Sequence, residues 1–367
     1  MATTTATGSP TMDELLSHQK FNTLTPEQVT QFMKHGFVRI PGAIPLDKVD
    51  WWTRDVWSRL GADPNDKSTW GDRDRVHMAK HNYIPTSEIA PKAWEAICEL
   101  LGGADRIADN GKEWVDSFIV NLGSEAGEGK VVEPRELDNW HCDGDFFVHQ
   151  LDSPEQALLV IPCWSDVVSG GGATVICTEG PQRIGQLLYD NPQGLNPAMQ
   201  DRNVPAVKSS YLGEQSEYKK AVRAAADDSF FEMTGNKGDV VLMHPLMLHS
   251  AANNAKRAIR IITNPPVSLK EPFKFDREDP TQYSLVELKT MQDLGGPEKL
   301  KGWKITQPRA LVVPERQRLQ NEQLRLENER LKALGRAVTW AKRTLSIRNA
   351  THAGDTARVT IGGEHID

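Results

Sequence analysis

Cysteine is scarce in this 367-residue chain: Cys98, Cys142, Cys163 and Cys177 are the full set, and no two form a C-x-x-C pair. That spacing excludes a disulfide framework or a structural zinc ribbon and fits a reducing compartment. Long apolar runs are also missing. None reaches eighteen residues, so no transmembrane helix is expected. The opening "MATTTATGSPTMDELL" has neither the apolar stretch of a secretory signal nor the Arg-rich pattern of a transit peptide. The final "HID" is not a peroxisomal address, and a cytoplasmic protein is expected. Clustered positive charge is lacking too: the formal net charge is −7 and the basic residues are scattered outside the C-terminal segment, which argues against a nucleic-acid partner. No strand–helix alternation with a glycine fingerprint occurs. "SGGGAT" (169–174) lacks the Lys-Ser/Thr of a phosphate loop and runs into strand-like residues, so it reads as a turn.

What is present reads as an ordinary soluble protein, with 38% hydrophobic and 25% charged residues and ten tryptophans to bury. Residues 1–20 are Thr/Ser/Gly-rich and are expected to be mobile. In "LTPEQVTQFMKHGFVRIPGAI", Thr25 is placed to cap a helix that starts at Pro26 and turns Val29, Phe32 and Met33 inward. The strand "FVRI" follows, and a second helix begins at about Leu46. "PKAWEAICELLG" (91–102) has helical spacing and a stopping glycine. Short β-branched runs then dominate: "SFIVNLG" (117–123), "ALLVIPCWSDV" (157–167), "ATVICT" (173–178), "DVVLMH" (239–244) and "RAIRIITN" (257–264). Helices first and short strands after predict a mainly β, α+β fold, a sandwich or jelly roll with flanking helices. Residues 314–346 read as a charged helix with Leu324, Leu331 and Leu334 on a thin apolar track, either docked on the body or serving as a homodimer seam. Residues 347–367 read as a loosely held tail.

The chemistry concentrates in "NWHCDGDFF" (139–147). In a strand, His141 and Asp143 share one face and Cys142 takes the other, so an imidazole and a carboxylate can meet at one point. Such a pair needs a third ligand, and two histidines with one carboxylate leave open positions on an octahedral ion. "GDVVLMHPLMLHSAANNAKRAIR" supplies His244 and His249. His249, opening a polar small-residue segment, fits better than His244, which lies among Met and Leu before Pro245. Asp145 shares the face of Asp143, but H-x-D is the tighter bite.

Three segments in order, "LTPEQVTQFMKHGFVRIPGAI", "WHCDGDFF" and "GDVVLMHPLMLHSAANNAKRAIR", resemble the phytanoyl-CoA dioxygenase-like family of Fe(II)/2-oxoglutarate oxygenases over roughly residues 21–266. The resemblance implies a double-stranded β-helix (jelly roll, cupin-like) core, with His141, Asp143 and His249 holding Fe(II). It also implies 2-oxoglutarate and O2 as co-substrates, succinate and CO2 as products, and oxidation of a small molecule, hydroxylation being the first expectation. The family's carboxylate-binding arginine lies about ten residues past the distal histidine, which selects Arg260 over Arg257; an odd separation on one strand would let only one face inward. Thr174 and Asn121 are candidate co-substrate contacts, although a strand-starting Thr and a turn-forming Asn are the blander readings. Trp140, Phe146 and Phe147 read as core before pocket lining. "HMAKH" reads as helix-like, with His77 and His81 four apart but no catalytic Glu, hence as rim or surface.

The organisation expected is an oxygenase domain over 21–313 with a lid insertion at 181–237. The family's loop after the glycine turn is replaced by "CTEGPQRIGQLL". Asp143 argues against a halogenase, which needs that ligand position vacant. A silent jelly-roll binding or scaffold protein is the competing class. Since every motif lies before residue 266, the C-terminal helix is expected to be dispensable for the chemistry.

Overall fold

In the computed structural model, residues 10–71, 75–204, 215–314, 316–333 and 357–358 are described. The strands are Phe37–Ile40 (β1), Arg75–His77 (β2), Tyr83–Pro85 (β3), Glu113–Val115 (β4), Ile119–Asn121 (β5), Leu158–Pro162 (β6), Thr174–Cys177 (β7), Phe230–Met233 (β8), Val240–Met243 (β9), Leu248–Ala251 (β10), Arg260–Ile262 (β11) and Pro266–Val267 (β12). Three antiparallel sheets carry the core, in the orders β1-β9-β6-β12, β10-β7-β8 and β11-β5-β2. Together with helices before, between and after the strands, this is an α+β architecture.

Continuous apolar runs arise because β6 and β9 are covered on both faces. Leu159, Ile161, Val241 and Met243 join Phe37, Ile176, Met233 and Ile262 in a core between the sheets. Their neighbours Leu158, Val160, Val240 and Leu242 pack outward with Phe32, Ile97, Leu100 and Leu285 from the helices. Each fully buried side chain of this kind contributes about 1.5–3 kcal/mol. The helix Pro26–His35 starts as its sequence requires: Thr25 and Gln28 form a reciprocal capping box, with Pro26 in the first turn. It ends at Gly36, in the left-handed region with φ 73°, and the Gly36 carbonyl accepts the His244 N–H at 2.8 Å.

Several expectations change. Of the segment expected to be mobile, residues 12–17 form a helix capped by Thr11 with Leu15 buried, while residues 1–9 lie outside the described residues. Within the expected lid over 181–237, the helix Gly180–Asp190 buries Ile184 and Leu188, β8 pairs with β7, and residues 205–214 lie outside the described residues. "HMAKH" is not helical, because His77 ends β2 and the chain continues without regular structure through His81. Arg257 is not on the strand at all but in a loop with φ 46°.

The C-terminal helix spans Arg316–Ala333, and the rest of the expected 314–346 helix, with Leu334 and nearly all of the tail, lies outside the described residues. It packs on the helix Val56–Leu60 with Leu331 buried and Leu324 half-buried. It also inserts Glu327, whose Oε2 lies 2.6 Å from His81 Nε2 and 3.3 Å from Arg59 Nε, and Arg59 in turn pairs with Asp116 at 3.2 Å. Burial pushes the Glu327 pKa up, but the His81 hydrogen bond and the Arg59 charge hold it below the usual carboxylate value. Among the described residues, no helix is long and apolar enough to cross a membrane.

Candidate metal centre

The two histidines are neighbours through the backbone. His141 and His249 exchange both N–H···O bonds at 3.0 Å, forming an isolated bridge at the start of β10. Directly opposed residues project to one face, and their rings lie 4.3 Å apart. His141 Nδ1 lies 2.8 Å from the Asn139 carbonyl and His249 Nδ1 lies 3.1 Å from that of Met247. A carbonyl can only accept, so each Nδ1 carries a proton, and each Nε2 faces the site, donating to Asp143 while it is protonated and offering its lone pair once it is not.

Asp143 arrives by a turn, which corrects the strand expected for the H-x-D segment. Beyond the bridge at His141 the chain bends, and Gly144 takes φ 119°. A Cβ there would meet the Phe147 ring at 2.6 Å and His149 Cε1 at 2.8 Å, so only glycine fits. Asp143 Oδ1 ends 3.5 Å from His141 Nε2 and 3.6 Å from His249 Nε2. The three ligand atoms lie within 4.8 Å of one another. Cis ligands of an octahedral ion with bonds of about 2.1 Å sit about 3 Å apart, so the three atoms would have to draw together to share one ion. Burial works to raise the Asp143 pKa, yet His249 and the hydrogen bonds from both rings hold it well below the carboxylate range. Burial lowers the His249 pKa, and the Asp143 carboxylate more than reverses this. These three side chains could hold a metal ion.

Across the interior, Arg260 on β11 is 2% exposed. Its Nη2 donates to Thr174 Oγ1 at 3.0 Å, while Nε and Nη1 are buried without a partner. Burial lowers its pKa to about 10, helped by the Arg75 charge, so it stays protonated at neutral pH. Two unsatisfied guanidinium nitrogens are costly in a protein interior unless a ligand meets them. The pairing registers place the remaining candidates around them. His249 stands opposite Ile176, so Thr174 is its diagonal neighbour on the same face. Asn121 stands opposite Arg260. Asn121 Oδ1 accepts from the Gly123 N–H at 3.0 Å and from Asn254 Nδ2 at 3.2 Å, which leaves its own Nδ2 as a donor.

The other candidates fall away from the centre. His244 Nε2 meets Thr290 Oγ1 at 2.9 Å and its Nδ1 accepts the Leu246 N–H, so it is a satisfied core histidine with its pKa pushed down to about 3 by burial. Arg257 turns to Trp70, Glu125 and Glu128. Asp145 stands in the turn after Gly144 and is not part of the triad. Trp140 and Phe147 are core, with Trp140 edge-on to Phe230, and Phe146 is half-buried beside Phe147. His81 is taken up by Glu327. Two residues near the triad carry no sequence signal of their own. His149 Nε2 lies 2.8 Å from the Gly144 carbonyl, and Asn264 Nδ2 lies 3.2 Å from Asp143 Oδ2.

Comparison with known proteins adds the following. No protein-family profile matches the chain, and no curated protein matches it significantly. Solved structures do align with it. HygX from Streptomyces hygroscopicus with nickel, 2-oxoglutarate and hygromycin B bound is similar at 13% identity, covering 67% of this chain and 87% of that one, with a TM-score of 0.36. The epimerase SnoN in complex with Fe3+, alpha-ketoglutarate and nogalamycin RO aligns at 12% identity over 66% and 82%, with a TM-score of 0.32. A hypothetical protein, JW0805 from Escherichia coli, aligns at 12% identity over 70% and 71%, with a TM-score of 0.41. Similarity at this level assigns no activity.

Proposed function

We propose that this chain is a non-haem Fe(II)/2-oxoglutarate-dependent oxygenase on a double-stranded β-helix, of the kind its three motifs resemble. It oxidises a small organic molecule, with hydroxylation as the outcome. The observation that carries the reading is Arg260: a buried guanidinium with Nε and Nη1 unpartnered, whose Nη2 donates to Thr174, the diagonal neighbour of His249 across the β7–β10 pair.

The residues fit the group they would hold. Two neutral imidazole Nε2 atoms and one carboxylate oxygen are a donor set suited to Fe(II) and leave three positions open. The buried guanidinium of Arg260, with Nε and Nη1 unpartnered, would take the distal carboxylate of 2-oxoglutarate as a charge-assisted contact. The Thr174 hydroxyl, whose oxygen already accepts from Arg260, keeps its hydrogen to donate, and Asn121 Nδ2 is the third donor. The Asn139 and Met247 carbonyls hold both rings in the metal-binding tautomer. Bound metal with 2-oxoglutarate and O2 supplies the oxidising power, with succinate and CO2 released.

The test is conversion of 2-oxoglutarate to succinate by protein reconstituted with Fe(II) without oxygen and then exposed to air. Succinate should form with wild-type protein and not with His141→Ala. Equal succinate from both would remove His141 from the site, and none from an iron-loaded wild type would favour a silent binding protein.

A further inference from the structure

Asn264 lies just past β11 and is followed by Pro265 and Pro266, the second of which opens β12. A residue before proline is restricted to extended backbone, so Asn264 carries the chain on from Ile262 in extended form, with its own side chain exposed. The chain on either side is pinned. Thr263 Oγ1 accepts the Trp164 indole N–H at 3.0 Å, the Trp164 backbone N–H donates to the Ile261 carbonyl at 2.9 Å, and Pro266 stands opposite Leu159 in the ladder with β6. From this fixed base the Asn264 amide reaches Asp143 Oδ2 at 3.2 Å. The other oxygen, Oδ1, is the one nearly equidistant from the two Nε2 atoms, at 3.5 and 3.6 Å.

We propose that Asn264 is a positioning residue that fixes Asp143 as a one-oxygen metal ligand, an inference that rests on the metal reading above. An amide nitrogen can only donate, so it selects Oδ2 and turns Oδ1 toward the histidines. The arrangement matters because Asp143 sits in a bend against Gly144 and has no strand of its own to orient it. One-oxygen ligation keeps three positions open, the number that a bidentate 2-oxo acid and O2 together require. One short strand thus ends with two tasks: Arg260 faces the co-substrate, and four residues on, Asn264 orients the carboxylate ligand.

The experiment is titration of full-length protein with Mn(II) in the absence of oxygen, followed by calorimetry, together with the melting temperature of the metal-free protein. Asn264→Leu removes the donor at similar size, and Asn264→Gln keeps one. Losing an orienting partner of a ligand weakens metal binding about 10- to 100-fold. The Leu variant should therefore bind Mn(II) at least about tenfold more weakly with an unchanged metal-free melting temperature, and the Gln variant should recover most of the affinity. A Leu variant that binds within twofold of wild type, or tighter, would overturn the inference. So would equal losses in Leu and Gln accompanied by a lower metal-free melting temperature, which would make the role structural. Wild-type protein that takes up no Mn(II) would instead bring down the metal reading, and this inference with it.

Discussion

Replacing Arg260 with lysine keeps one positive charge and removes the fork. The guanidinium already gives Nη2 to Thr174, and its Nε and Nη1 are the two donors left for a carboxylate. A lysine ammonium is a point charge on a flexible stem and cannot reproduce the separately directed donors of the planar guanidinium, so at least one charge-assisted hydrogen bond is lost. Such a bond contributes about 1.5–3 kcal/mol, which corresponds to a dissociation constant for 2-oxoglutarate raised between about tenfold and about two-hundredfold. Calorimetry on Mn(II)-loaded protein without oxygen measures this directly. Arg257→Lys is the control: that side chain faces Glu125 and Glu128 at 3.8 Å from a loop, and its substitution should leave the constant within twofold. If Arg257→Lys weakened binding and Arg260→Lys did not, the assignment of the clamp, and the inward register of β11 with it, would be wrong.

Three further outcomes follow from the geometry. Glu327→Leu leaves Arg59 with half its buried counter-charge and removes the Glu327 contact of His81, and breaking a buried pair of this kind costs about 3–5 kcal/mol, to be read from urea unfolding; a loss below about 1 kcal/mol would show that the helix Arg316–Ala333 is not docked through this network. Gly144→Ala places a Cβ against the Phe147 ring and His149 at a φ of 119°, so folded variant protein should lose metal uptake, and wild-type affinity would show that the turn has another conformation available. His244 has its pKa pushed from 6.5 to about 3, so between these values the unfolded chain takes up a proton that the folded chain refuses. Its contribution to stability is complete above about pH 6.5 and falls by ~2 kcal/mol on going to pH 5, a slope that unfolding at the two pH values should detect and that His244→Asn should remove.

The candidate ligands stood out because their signals are chemical and local: H-x-D, then a histidine that leaves an apolar strand for polar residues. Strand alternation does not describe the pair fully: His141 holds a bridge position, but the chain bends at Asp143, and Gly144 just beyond it takes a φ of 119° to which period-two arithmetic has no access. Spacing favoured Arg260 over Arg257 on the premise of a shared strand, and the two do not share one: Arg260 lies on β11 and Arg257 in a loop. The apolar runs of β6 and β9 announced strands but not that both faces are covered, which needs the helices in place. What stayed hidden is long-range and polar. Asn264 meets a residue 121 positions earlier, and Glu327 meets Arg59 across 268. Single polar residues in charged or proline-rich segments look like surface until their partners are known. Glu327 also gives its helix a structural part: no triad or clamp residue lies on it, yet removing it would take one of two buried counter-charges from Arg59 and the Glu327 contact from His81. A chain ending at Val313 is therefore expected to be less stable.

The most direct measurement is metal stoichiometry in the presence of 2-oxoglutarate, determined by anaerobic Fe(II) titration of wild-type protein, His249→Ala and His244→Ala. One Fe(II) per chain is expected in the wild type and in folded His244→Ala, with none retained by His249→Ala. Retention of the ion by His249→Ala, or its loss from a folded His244→Ala alone, would contradict the site as described.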